Sequence, residues 1–241
     1  MTTSPNATAA TTGSQAPQSI RLALFDLDHT LIPLDSDYAW GEFTVAQGWR
    51  DAATFSLAND RFYAAYKAGT LDIHEYVHFA TAAVREQGML AANEAHERFM
   101  QEVIRPAMRE KALAVVKAHQ AAGDQVVIVT ATNAFVTRPI ATAFGVDELI
   151  AIDLETDAAG TPTGLIRGVP SFREGKVARV EQWLAARGLN WASVAHSTFY
   201  SDSINDLPLL EKVHEPVATN PDDRLKAIAL ERGWRILNLF E

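Results

Sequence analysis

Asp26 and Asp28 stand two apart in Phe25-Asp26-Leu27-Asp28-His29-Thr30-Leu31, directly after the apolar run Leu22-Ala23-Leu24-Phe25. Two carboxylates at the mouth of a buried strand are costly unless a cation or a reaction uses them. One chemistry suits an Asp-x-Asp-x-Thr order after a strand: the first carboxylate attacks a phosphoryl group and the second handles the leaving-group proton. The same residue types also form turns and helix N-caps after strands, so the pair alone leaves phosphoryl transfer and a polar loop both open.

The elements around the pair decide between these readings. From Ile20 onward short apolar runs alternate with longer helical patterns, which predicts an α/β fold with a central parallel sheet and crossover helices. Strands are expected over 20–25, 125–130, 148–152, 198–200, 216–219 and 235–237, and helices over 109–122, 134–144, 176–187, 206–213 and 222–232. Several helices end at glycines suited to C-terminal caps, among them Gly123, Gly145, Gly188 and Gly233. Residues 35–105 show no strand pattern. Their aromatic residues, including Tyr38, Trp40, Phe62, Tyr63, Tyr66 and Tyr76, recur at loosely helical spacing, which reads as an inserted helical lobe with an aromatic core. Over 152–168 three glycines with Asp, Thr and Pro suit a short hairpin or flap. Residues 1–19, rich in Thr, Ser, Ala, Pro and Gln and free of Lys and Arg, read as a disordered leader rather than a secretory signal.

In parallel α/β sheets ligands sit at the carboxyl ends of the strands. The first strand delivers Asp26 and Asp28 there. The second ends in Thr130-Ala131-Thr132-Asn133, a hydroxyl and free amides at a helix start, which suits a phosphate. A later strand ends in Ser201-Asp202-Ser203-Ile204-Asn205-Asp206, a second acidic cluster whose hard oxygens suit magnesium. Lys176, after Gly175 at a helix start, supplies positive charge.

These four segments, in this order, resemble the haloacid dehalogenase superfamily, in the subclass that includes the phosphoserine phosphatases. Phe25 to Thr30, Val129-Thr130, Lys176 and Ser201 to Asp206 match its four motifs, and residues 35–105 fall where that subclass carries a helical cap. The resemblance implies a Rossmann-like three-layer core over 20–34 and 106–241. His29, Ser201 and Ser203 depart from the common pattern, which often has glycine at these positions. Carried over residue by residue, the resemblance makes Asp26 the nucleophile that forms an aspartyl-phosphate, and Asp28 the acid and then the base. Asp26, the backbone carbonyl of Asp28 and Asp202 would bind Mg2+. Thr130 and Lys176 would bind the phosphoryl oxygens with Asn205 and Ala131 beside them, and Asp206 would hold the metal's waters or orient Lys176. Asp28 points to phosphoester hydrolysis. Phosphotransferases and mutases share the Asp pair and stay open, as does a catalytically silent phosphate-binding module.

For the substrate, Asp35 lies nine residues after Asp26, where phosphoserine phosphatases carry an acidic residue that meets the substrate amine; Asp37 is the nearby alternative, and N-capping is an equal role for Asp35. Phosphoserine also needs a cation for its carboxylate, which Arg50 or Arg61 could provide, though no spacing identifies either. Histidinol phosphate has the amine without the carboxylate, related members act on it, and an aromatic cap suits its imidazole. His29 lies at the expected substrate entrance. His74 and His78, four apart, read as a solvated helix face rather than half a metal site.

Composition excludes other classes. With 48% apolar and 21% charged residues the chain is an ordinary globular protein. A formal net charge of −9 argues against nucleic acid as partner. The absence of cysteine excludes disulfides and thiolate metal sites. No apolar run reaches the ~20 residues that span a bilayer. The expected partner is a small phosphorylated metabolite, the expected compartment is the cytoplasm, and the oligomeric state is left open.

Overall fold

The computed structural model describes residues 19–240, so the expected leader lies outside the described residues apart from the exposed Ser19. Six strands form one parallel sheet: β1 (Ile20–Phe25), β2 (Gln125–Asn133), β3 (Glu148–Ile152), then, beyond the hairpin strands β4 (Leu154–Thr156) and β5 (Pro162–Ile166), β6 (Val194–Ser201), β7 (Glu215–Thr219) and β8 (Arg235–Leu237). Their order is β3-β2-β1-β6-β7-β8, and every neighbouring pair is parallel. The β4–β5 hairpin, antiparallel, makes the small second sheet expected for the glycine-rich segment.

The strand sequences explain why both faces are covered. Side chains alternate across a strand, so Ala23 and Phe25 point to one face of the sheet and Leu22 and Leu24 to the other. The first pair joins an apolar cluster with Ile128, Val116 and Ile140, the second a cluster with Val127, Phe199, Val180 and Leu225. Helices α1 (Ser36–Ala46), α2 (Ala52–Ala68), α3 (Ile73–Ala80), α4 (Ala82–Gln87), α5 (Met89–Phe99) and the short α6 (Arg105–Ala107) all lie between β1 and β2 in the chain. Crossovers follow with α7 (Glu110–Ala121), α8 (Ala134–Ala143), α9 (Glu174–Ala185), α10 (Leu207–Leu210) and α11 (Asp223–Arg232). No described helix is long and apolar enough to cross a membrane.

The inserted helices divide into two groups. Trp40 of α1 and Phe99 of α5 pack with Phe135 of α8, at ring separations of 5.4 and 5.7 Å from Trp40, so α1 and α5 share the sheet's own apolar layer. Helices α2 and α3 join through Phe55, Phe62 and Phe79, with ring centroids 4.9 to 5.0 Å apart. From β1 the chain goes to β2 and β3 on one side and returns to β6 on the other. That reversal opens a crevice at the carboxyl ends of β1 and β6.

Three elements differ most from expectation, and the first is β6, which begins four residues earlier than expected, at Val194. β2 runs three residues further, to Asn133, because its register against β3 slips between Val129 and Asn133 and leaves Thr130 to Thr132 as a bulge across the strand ends. The helix expected over 206–213 shrinks to a 3₁₀ turn, Ile204–Asp206, followed by α10. Asp206 does not cap that helix, since its carboxylate is turned to Lys176 instead.

A polar chain ties α7 to the strand that carries the first carboxylate. Arg21 Nε donates to Asp124 at 2.8 Å, His119 Nδ1 lies 2.7 Å from Asp124, and His119 Nε2 lies 2.8 Å from the Tyr200 hydroxyl. Tyr200 stacks on Phe25 at 4.5 Å, and its carbonyl accepts from Asp26 N. Burial pushes the Asp124 carboxyl up, but hydrogen bonds and charge from His119 and Arg21 outweigh it and hold it below its ordinary value. A carboxyl lowered in this way adds stability above its unfolded pKa and loses it as pH falls through the folded one. Asp124→Asn is expected to cost about 1–3 kcal/mol at neutral pH, with the difference from wild type closing below about pH 4, measured by urea unfolding across that range.

Candidate active site

Asp26 continues the β1–β6 ladder, which fixes its backbone. Its side chain is 6% exposed at residue level and reaches Lys176, whose Nζ donates to Asp26 Oδ1 at 2.7 Å and to Asp206 Oδ2 at 2.6 Å. Lys176 is 1% exposed, so a full ammonium is buried between two carboxylates from different strand ends. Those carboxylates and their hydrogen bonds raise its pKa against the opposing effect of burial. The hydroxyl of Ser201 also donates to Asp206 Oδ2, at 2.7 Å. Ser201 therefore replaces a glycine of the common pattern with a group that holds Asp206.

Lys176 reaches this point because of the residue before it. A Cβ on Gly175 would collide with the backbone carbonyl of Pro170. Only glycine lets the first turn of α9 lie against that segment.

Asp28 is held from both sides: Ser36 N donates to Oδ1 at 2.8 Å and the Thr132 hydroxyl to Oδ2 at 2.8 Å. Burial, with the charge of Asp35 added, lifts its pKa to about 6, so it holds a proton well above the ordinary carboxylate range. Burial also raises Asp26, with Lys176 pulling back, and raises Asp206 to about 6. Asp202 is pushed well above the usual carboxylate range, chiefly by burial and then by Asp26 and Asp206. Thr30 Oγ1 lies 3.3 Å from Asp26 Oδ2 and 3.1 Å from Asp202 Oδ1, and accepts from Asp202 N at 3.0 Å. Its single proton serves one carboxylate at a time.

That shortage of positive charge bears on a metal. The Lys176 ammonium pairs with Asp26 and Asp206 and with neither Asp28 nor Asp202, and Asp26 and Asp202 converge on a single hydroxyl. Among the described residues no three acidic or histidine side chains form a ready-made cage. Two carboxylates and a backbone carbonyl, completed by waters and a phosphate, are the set a small hard divalent cation takes. The residues present fit such an ion.

A cavity opens over the cluster. Asp26, Asp28, Asp202 and Ala131 form its floor, and Tyr38, Asn59, Tyr63, Tyr66 and Tyr76 stand among its walls with His29 and Asp35. Asp35 caps α1, accepting from Asp37 N and Tyr38 N at 3.0 and 2.9 Å, and still lines the cavity. Asp37 is buried instead against Asn133, whose Nδ2 donates at 3.2 Å. His29 adopts a left-handed φ of 55° and lies 3.5 Å from the Tyr63 hydroxyl.

Other expected residues fall elsewhere. Thr130 is fully buried, its hydroxyl accepting from Thr132 N, so the hydroxyl this segment offers the cavity is that of Thr132. Asn205 Nδ2 donates to Tyr66 O at 2.9 Å, tying its loop to the end of α2. The Arg50 guanidinium lies over Phe55 and Phe79 and donates to Phe79 O, and Arg61 lies exposed over Phe62; neither lines the cavity. Thr30 and Ser201 lie inside the motifs without a role read for their hydroxyls, and Thr132 and Asn59 have no spacing that singles them out. The tyrosines of the insert, expected as core, line the cavity together with Phe62; Trp40, Phe43 and Phe99 make the core.

The haloacid dehalogenase-like hydrolase family profile matches residues 23–211, and the chain belongs to this family. It is 43% identical to the histidinol-phosphatase of Neisseria meningitidis serogroup C over 217 residues, 90% of this chain and 98% of the relative. It is 30% identical to phosphoserine phosphatase SerB1 of Mycobacterium tuberculosis over 236 residues, 95% of this chain and 75% of the relative. A solved structure of a protein of unknown function from Bordetella pertussis Tohama I superposes with a TM-score of 0.87 at 50% identity, covering 92% of this chain and all of that one.

Gly175→Ala is expected to displace Lys176 and destabilise the fold by about 1–3 kcal/mol. Urea unfolding beside phosphate-release kinetics checks this; equal midpoints would show that α9 tolerates the side chain.

Proposed function

We propose that the chain is a magnesium-dependent phosphomonoesterase of the cytoplasm, acting on a small amine-bearing phosphate ester, with histidinol phosphate as substrate. The observation that supports it most directly is the Asp26–Lys176–Asp206 cluster beside a separately held Asp28, under a cavity whose walls are tyrosine, Asn59 and Asp35. The relationship to the Neisseria histidinol-phosphatase over nearly both chains points the same way.

Asp26, ordered by Lys176, attacks phosphorus and forms an aspartyl-phosphate as the ester oxygen leaves. Asp28 gives that oxygen its proton and then takes one from the water that attacks the aspartyl-phosphate. The two oxygens of Asp28 are oriented by Ser36 and Thr132, so the proton is presented in a fixed direction. Asp26, the Asp28 carbonyl and Asp202 would hold Mg2+, which when bound offsets charge on the transferring group. Helices α2 and α3 act as a cap that excludes water from the first step.

The cavity chemistry selects the leaving group. No Lys or Arg is among the described residues lining it. The carboxylate of phosphoserine would find no cation in that lining, with Lys67 Nζ held 4.5 Å over the Tyr63 ring, whereas an ammonium meets Asp35 and an aromatic ring meets Tyr38, Tyr63 and Tyr76.

Phosphate release is expected to fall at least about 10³-fold in Asp26→Asn and to stop with chelator. Asp28→Asn is expected to lose about 10²–10⁴-fold on histidinol phosphate and much less on p-nitrophenyl phosphate, whose leaving group needs no proton. In steady-state assays histidinol phosphate should exceed phosphoserine in kcat/KM. A preference for phosphoserine, or transfer of the phosphoryl group to an acceptor without release, would refute the assignment.

A further inference from the structure

Asn59 is the one cavity-lining amide on α2, and it sits oddly. It is 3% exposed, lies beside Phe55 and Gly41, and its buried Nδ2 has no hydrogen-bond partner among the described residues. An unpaired amide buried among rings is unfavourable, and an apolar side chain of similar size would avoid that cost. Its torsion at the amide is soft, so the group turns to offer either its NH2 or its carbonyl oxygen.

Its position along α2 defines what it can meet. Asn59, Phe62, Tyr63 and Tyr66 follow the i, i+3, i+4, i+7 spacing of one helix face, and all four line the cavity. Tyr66 marks the catalytic end, since its carbonyl holds Asn205 from the Ser201–Asp206 segment. Asn59 is seven residues away, which at ~1.5 Å per residue sets it about 10 Å further along the axis. A group there cannot serve the phosphoryl transfer. It meets the far end of the leaving group, beyond the reach of a leaving group as short as serine.

We propose that Asn59 is a specificity-determining residue that hydrogen-bonds a polar atom at the distal end of the leaving group, a ring nitrogen in the case of an imidazole. This rests on the reading of the site as a phosphatase for an amine-bearing ester. Asp35 and Asn59 then divide the substrate: the carboxylate near Asp28 takes the ammonium, and the amide two turns up α2 takes the ring.

The test uses Asn59→Leu, close to isosteric, and Asn59→Ala, with the full-length enzyme. The ratio of kcat/KM for histidinol phosphate to that for phenyl phosphate, which has no distal polar atom, should fall about tenfold, mostly through KM. The urea midpoint of Asn59→Leu should match or exceed that of wild type, because an unpaired amide is removed. A ratio within twofold of wild type overturns the proposal, and so does parallel loss on both substrates with a lowered midpoint, the mark of a structural asparagine. Calorimetric binding of L-histidinol needs no turnover and separates the two readings. Absent phosphate release with histidinol binding weakened in Asn59→Leu overturns the phosphatase reading alone; turnover with ratio and binding unchanged overturns the role of Asn59 alone.

Discussion

The buried ammonium of Lys176 is the constraint on which the site depends. It is 2.7 Å from Asp26 and 2.6 Å from Asp206, and it is almost wholly removed from water. A buried ion pair gains little net stability, because desolvation offsets most of the attraction, while an unmatched member is strongly unfavourable. The interaction therefore fixes position more than it stabilises. It obliges the end of β1, the first turn of α9 and the loop after β6 to meet at one point, although the three segments are 150 and 30 residues apart in the chain. The sheet order satisfies that demand, since the reversal between β1 and β6 places both strand ends side by side.

Around this point the protein divides its labour. The sheet end supplies groups whose charge matters, held by neighbouring donors: Asp206 by Ser201, Asp28 by Ser36 and Thr132, and Asp202 by Thr30, which it shares with Asp26. The inserted helices supply groups whose shape and polarity matter, a wall of tyrosines with one carboxylate and one amide. The insert is not a separate body throughout. Helices α1 and α5 are built into the apolar layer over the sheet, and α2 and α3 carry most of the cavity wall. Three core donors, Asn205, Arg173 and Arg224, reach carbonyls at the end of α2, at Tyr66, Gly69 and Lys67. The carbonyls at the C-terminal end of this helix are thus tied to the catalytic half of the molecule.

Much of this was legible in the residue order. Unbroken apolar runs such as Leu22 to Phe25 and Val126 to Val129 announce a sheet covered on both faces, and the carboxylates, hydroxyls and lysine at the element boundaries announce phosphoryl chemistry, because a helix or strand end is where a local pattern stops and a polar group becomes affordable. Legibility failed where a residue type has several uses. Arginine in an aromatic-rich insert reads as an anion contact, yet Arg50 lies over Phe55 and Phe79. Tyrosines at helical spacing read as core, yet they line the cavity, because which face of a helix meets the sheet and which meets a cleft depends on neighbours far away in the chain.

The sequence by itself determined the parallel α/β fold, the position of the helical insert and the acidic motif residues, since each of these rests on local periodicity or on charges at a strand end. Only the tertiary structure decided that Lys176 lies between Asp26 and Asp206, that Thr132 rather than Thr130 offers its hydroxyl to the cavity, that Asp35 faces the cavity while Asp37 is buried, and that Asn59 is left unpaired in its wall. These depend on distances between segments remote in sequence, on a register slip in β2 and on a glycine that admits a close backbone approach, none of which any local pattern of residues encodes.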